Sequence, residues 1–313
     1  MNKFFYLLMI LSLSFKGAWA NSPSVLKEKF LAPDKIKGFA FEDFYGTKDY
    51  LTLNGVAELS LDDFSTTETE KTILRLTPRI PNSEGHIAGS AFIKFPFKAF
   101  KENYAFSTFF RYRVSASHIY DGSGMVFMVQ SDDRYDKAIG KCSYCMGYAG
   151  AAHLKSVGIR PSVAVEFDIQ RNGSDEDYNM VGLDLNGDLN SIVLRSGAFG
   201  PNSRSGISEM PYTDTTINNG IPWNVWIDYD GRVLEVRSSQ QRLRRKATVH
   251  IRRPINIGDI LTAIRDKKEA DEPIVYIGFS SDPGLYPAYT DVLEWHFKSY
   301  YEPYGNYILE QNK

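Results

Sequence analysis

The run Val163-Ala164-Val165-Glu166-Phe167-Asp168-Ile169-Gln170-Arg171-Asn172 leads into the acidic residues Asp175, Glu176 and Asp177. Successive side chains of a strand point to opposite faces, so Val165, Phe167 and Ile169 would face a core. Glu166, Asp168 and Gln170 then share the other face. Three polar side chains aligned on an inner strand are costly to bury unless something pairs with them. A divalent cation is one such partner. Carboxylate, amide and main-chain oxygens, with no cysteine and no histidine nearby, suit Ca2+ better than zinc. A strand edge running into an acidic turn accounts for the same residues equally well at this point.

Outward from this stretch the chain continues as short strands separated by Gly, Asn, Asp and Pro. Residues 106–114, 125–130, 275–280 and 292–298 are rich in aromatic and β-branched side chains. Residues 223–229, then Asp230-Gly231, then 233–236 predict a β-hairpin, because Asp-Gly fits the favoured two-residue turn. Residues 183–185, Asn186-Gly187 and 191–194 predict a second. Such spacing of strands and turns means an antiparallel two-sheet sandwich or a barrel. Helix is scarce. Residues 259–268 (DILTAIRDKK) have helical apolar spacing with an acidic start and a basic end, which predicts one short surface helix. The basic stretch 242–253 (RLRRKATVHIRR) alternates as a strand towards its end and is read as a solvated sheet face. Neither a repeat nor a linker divides the chain, so one domain is expected.

The 313 residues are 43% hydrophobic and 24% charged, ample for one large core. A formal charge of −2 argues against an electrostatic nucleic-acid binder. Residues 1–20 read as an export signal: Lys3, a short apolar run over 4–15, then Ala18-Trp19-Ala20 as a cleavage site. That run of about 12 residues is short for a membrane helix, so the mature chain 21–313 is expected to be secreted or periplasmic with no membrane span. Cys142 and Cys145 are the two cysteines. In an oxidising compartment they predict a small local disulfide, with free or regulatory thiols as the alternative. The five histidines lie in no metal or nucleophile motif.

In this order, five segments resemble the L-type (legume-type) lectin family. They are Leu53-Asn54-Gly55-Val56-Ala57 with Leu74-Arg75-Leu76-Thr77; Gly89-Ser90-Ala91-Phe92 with residues 106–111; Val163-Ala164-Val165-Glu166-Phe167-Asp168; Gly278-Phe279-Ser280-Ser281; and residues 292–297. The resemblance implies an all-β, concanavalin-A-like antiparallel sandwich (jelly roll) over about residues 38–300, and the short leader suggests a bacterial member. It implies a calcium-dependent, non-catalytic lectin for glycans or glycoproteins, mannose-type ones included, and leaves a homo-oligomer open. Asp168 would bind calcium through its carboxylate, Gln170 through its carbonyl, and Asn172 and Asp177 (or Asp175 in its place) through their side chains, while Glu166 would face a second, transition-metal position. Asn172 and a backbone N–H of Gly150 or Gly147 would also donate to a sugar, Asp121 would accept from its hydroxyls, and the loop residues Leu285 and Tyr286 would frame the pocket. Tyr289 is a further stacking candidate.

Three positions depart from the family pattern. Met180 stands where plant members carry a metal-binding His, which favours calcium alone. The sugar-gripping Asp aligns with Ser123 without a gap, or with Asp121 after a two-residue insertion; Asp121 is preferred because a carboxylate accepts two hydroxyls. Gln170 replaces an aromatic that stacks on sugar. The alternative is a sandwich that binds calcium but has lost sugar binding and serves adhesion or protein interaction. Glycoside hydrolases of the laminarinase-like kind share the sandwich and show Glu-x-Asp-x-Glu. Here the third position is Gln170, which cannot serve as a catalytic acid, so hydrolysis is the weaker expectation.

Overall fold

The computed structural model describes residues 37–65, 71–80, 87–98, 104–115, 123–140, 144–151, 156–169, 179–195, 217–263, 274–284 and 287–305. Sixteen strands are found among them. They are β1 (Gly38–Phe41), β2 (Leu51–Gly55), β3 (Glu58–Leu61), β4 (Thr72–Thr77), β5 (Gly89–Ile93), β6 (Phe97–Lys98), β7 (Phe106–Ser115), β8 (Gly124–Gln130), β9 (Ser162–Asp168), β10 (Met180–Leu185), β11 (Asp188–Arg195), β12 (Trp223–Tyr229), β13 (Val233–Ser239), β14 (Thr248–Pro254), β15 (Ile274–Asp282) and β16 (Tyr289–Lys298).

All pairings between these strands are antiparallel and build two sheets. The back sheet runs β14-β13-β12-β7-β16-β4-β3, with β1 also on β16. The front sheet runs β11-β10-β9-β8-β15-β5-β2, with β6 also on β15. One continuous core lies between them. Phe106, Phe110, Tyr112 and Val114 of β7 meet Phe127 of β8, Phe167 of β9 and Phe279 of β15 there. Phe110 stacks on Phe127 with ring centroids 5.8 Å apart, and Phe279 meets Trp295 edge-on at 4.6 Å. The expected sandwich, and both expected hairpins, are therefore present.

Two elements differ from expectation. The helix α1 spans Ile257–Thr262 rather than starting at Asp259, because the Asn256 side chain caps it by accepting from the Asp259 N–H at 3.1 Å. Its expected continuation over 264–268 lies outside the described residues. In β16, Val292, Trp295 and Phe297 all enter the core, which strict alternation forbids. A register shift between Val292 and Glu294 inserts Leu293 as a bulge against β7. One extra residue resets the alternation. Asp291, Glu294 and His296 thereby share the outer face of the back sheet. The basic stretch is a solvated face only in part: β14 leaves Arg252 and Arg253 exposed, whereas Arg242 and Arg244 turn onto the buried acids Glu294 and Asp228 at 2.6 and 2.7 Å.

Candidate metal and glycan site

β9 lies between β8 and β10, and the register sets three rows across the face of the front sheet that points away from the core. Asp168 pairs with Gly124 and Met180, Glu166 with Val126 and Gly182, and Ala164 with Met128 and Asp184. Asp282 of β15 joins the first row by pairing with Gly124. The segments following β8 cover this face: Ala138, Met146, Tyr148, Ala149 and Ile159 pack on Val126, Met128 and Ala164. Under that cover Glu166, Asp168 and Asp184 are only 2%, 3% and 0% exposed. Three carboxyl groups thus share a largely dry space.

The electrostatics follow from that crowding. Burial, then the charge of Glu166, pushes the Asp184 carboxyl well above the usual carboxylate range. Ser191 Oγ lies 2.6 Å from both Glu166 Oε1 and Asp184 Oδ1. A hydroxyl has one hydrogen, so without a cation one of these contacts needs a protonated carboxyl. Gly182 makes room for the arrangement, since a Cβ there would collide with the Glu166 carboxyl and Ser191 Oγ. Three buried carboxyl groups drawn this close together, with only oxygen donors among them, fit a bound cation. Glu166 and Asp168 could hold it, as oxygen ligands suited to a hard ion. Met180, buried opposite Asp168, offers only a thioether.

Of the residues expected to form the site, the structure brings Glu166 and Asp168 together on one face. Asp121, Gln170, Asn172, Asp177, Leu285 and Tyr286 lie outside the described residues, as does Cys142. Gly150 is described, and a Cβ on it would meet the backbone of Ser156, Val157 and Gly158, so its backbone is closely packed. Tyr289 is not at this site. It begins β16 in the back sheet, beneath the Arg75 guanidinium at 4.2 Å and against Phe64. Ser123 is fully buried, and its hydroxyl donates to Asp282 Oδ1 at 2.6 Å, so it turns inward rather than outward to a ligand.

Asp184, Ser191 and Asp282 were not foreseen. Asp184 sits in Asp184-Leu185-Asn186-Gly187-Asp188, which reads as a turn but is one only at Asn186-Gly187, with Asp184 still inside β10. Asp282 is fully buried and accepts from the Gly284 N–H at 2.8 Å as well as from Ser123. The backbone amides of Cys145 and Met146 also face its carboxylate. Tyr144, Met146 and Gly147 have positive φ, which turns successive N–H groups towards one point and forms an anion nest. Burial still raises the Asp282 carboxyl, with these donors opposing it. The described residues contain no free cysteine.

The sequence matches the family description "Legume lectin domain" over residues 37–310. It is 26% identical over 275 residues to the putative L-type lectin-domain containing receptor kinase I.11 of Arabidopsis thaliana, covering 85% of this chain and 36% of that protein. To the rice (Oryza sativa subsp. japonica) L-type lectin-domain containing receptor kinase SIT2 it is 27% identical over 263 residues, covering 80% and 36%. The chain spans about a third of the length of these relatives. Their plant origin gives no support to a bacterial source. In structure it is similar to the lectin from Bauhinia forficata in complex with GalNAc, with a TM-score of 0.59, 19% identity and coverage of 83% of this chain and 96% of that one. The winged bean acidic lectin complexed with methyl-alpha-D-galactose gives a TM-score of 0.58 at 19% identity, covering 83% and 97%. At 19% identity these two structures speak for the sandwich fold alone. Sequence and architecture agree: the chain belongs to the legume lectin domain family.

Proposed function

We propose that this protein is an exported, calcium-dependent lectin whose glycan site lies beside the carboxylates of β9. The observation that carries this is the burial of Glu166 and Asp168 on one face next to Asp184, whose carboxyl burial and Glu166 push upward. A calcium ion bound there supplies positive charge and a rigid anchor for the loop that follows β9. Within this proposal Asp168, Gln170, Asn172 and Asp177 hold the ion, and Met180 argues against a second, transition-metal ion. Asp121, Asn172 and a backbone N–H of Gly150 hold sugar hydroxyls, and Leu285 and Tyr286 frame the pocket. A Cys142–Cys145 disulfide would fix the start of the nest that faces Asp282.

A glycan array probed with and without chelator tests the reading. Binding to mannose-, galactose- or N-acetylgalactosamine-terminated glycans that vanishes on chelation is the expected result, and silence on a broad array refutes it. Asp168→Ala should remove calcium and glycan binding together, whereas Asp121→Ala should spare calcium. A second reading, calcium binding without sugar binding, is favoured by one observation: Ser123, aligned with the sugar-gripping position, gives its hydroxyl to Asp282. Calorimetry showing calcium uptake with no glycan on the array would select it. Reducing-sugar release from β-glucan would overturn the non-catalytic assignment.

A further inference from the structure

Outside the front-sheet site, a second group of ligating side chains lies on the outer face of the back sheet. Glu294 and His296 are two residues apart on β16 and face the same way. Ala40 of β1 pairs with His296 and Phe41 with Trp295, so Glu42, one step past the end of β1, comes opposite Glu294. His296 Nε2 lies 3.3 Å from Glu294 Oε1 and 3.5 Å from Glu42 Oε1. The three ligand atoms are all within 4.8 Å of one another. Metal–ligand bonds of about 2.0–2.2 Å at a tetrahedral ion put neighbouring ligands about 3.3–3.6 Å apart. Two of the separations therefore already match.

We propose that Glu42, Glu294 and His296 form a binding site for a zinc-type divalent cation that ties β1 to β16. One imidazole nitrogen with two carboxylates suits a borderline ion, whereas calcium asks for six to eight oxygens. Glu294 and His296 are buried, and the Glu42 side chain is 71% exposed, which leaves an entry path and a position for water. Arg242 donates to Glu294 Oε1 at 2.6 Å, the kind of outer hydrogen bond that orients a ligating carboxylate. Arg111, Arg242 and Lys298 also oppose a cation here, so the site should bind less tightly than an all-anionic one.

The test is calorimetric titration of the full chain with zinc in excess calcium, with cobalt as a spectroscopic substitute. One equivalent of zinc and the visible bands of tetrahedral cobalt are expected. Glu42 is exposed, so Glu42→Gln leaves the fold intact and should weaken zinc binding at least about tenfold. Glu42→His should restore it, because imidazole ligates where an amide does not. Asp168→Ala should leave this zinc in place, which separates the site from the calcium proposal. Zinc binding unchanged in Glu42→Gln, or absent from the unmodified chain, overturns the proposal and leaves an Arg242–Glu294 ion pair.

Discussion

Removing the Asp282 carboxylate tests whether one buried acid organises the rim of the candidate glycan site. Asp282→Ala leaves the Ser123 hydroxyl and the Gly284 N–H, now bonded at 2.6 and 2.8 Å, without their acceptor. An unsatisfied buried donor costs about 1–3 kcal/mol, so the two together cost about 2–6 kcal/mol. Losing a carboxylate whose own burial is unfavourable offsets part of this, and a net loss of about 2–4 kcal/mol is expected. Asp282→Asn keeps the volume and one acceptor but brings an NH2 group towards the amides of Cys145 and Met146. It should cost about 1–3 kcal/mol. Denaturant midpoints at constant m-value give the stability change, and amide hydrogen exchange reports on residues 144–150. Faster exchange there, with weaker glycan binding in both variants, is the predicted pattern. A change below about 1 kcal/mol in Asp282→Ala, with exchange over 144–150 unaltered, would refute the reasoning.

The back sheet supplies a second stability test. Fully buried Asp291 bridges Arg75 at 2.8 Å and Arg113 at 2.9 Å, both nearly buried themselves. Burial would lower the Arg75 guanidinium, and Asp291 followed by Asp63 more than reverses that. Asp291→Ala should cost about 3–5 kcal/mol, less whatever Asp62 and Asp63 still return to the two arginines, and a thermal midpoint unchanged within about 2 °C would count against it. His250 tests the pH dependence. It is 5% exposed beside Ser238 Oγ at 2.7 Å, and burial lowers its imidazole to about 4. The unfolded chain takes up that proton near pH 6.5 and the folded chain only near 4, so stability falls as pH drops across this window, by about 3 kcal/mol in all. Urea unfolding of His250→Gln should show that much less pH dependence between pH 6.5 and 4; an identical slope would exclude His250 as its source.

What could be read from the sequence depended on how far the relevant interaction reaches along the chain. β9 was legible because alternation is local: Val165 and Phe167 enter the core while Glu166 and Asp168 turn away, as two-residue spacing requires. β16 was legible as a strand but not in its facing. Val292-Leu293-Glu294-Trp295 gives no sign that Leu293 is the extra residue, because the bulge is fixed by pairing with β7. Glu294 and His296 could therefore not be joined to Glu42 from spacing alone. Asp282 was hidden for a related reason. Its partner Ser123 is 159 residues away, and its nest depends on backbone angles at Tyr144 and Met146, neither of which is a glycine.

The front-sheet carboxylates show why candidate site and fold cannot be judged apart. An acidic strand open to water would titrate normally and need no cation. Here Met146, Tyr148 and Ala149 lie over β8 and β9, and the segment carrying them also provides the amides that face Asp282. The cover that dries Glu166, Asp168 and Asp184 is thus itself held down by a fourth buried acid. Each carboxylate makes another's environment possible, so loosening the cover should admit water and weaken cation affinity before any ligand is touched. For that reason Asp282, which by this account touches neither ion nor sugar, should alter calcium affinity as well as stability. An Asp282→Asn chain that unfolds earlier yet binds calcium as tightly as the unmodified one would show the two to be separate.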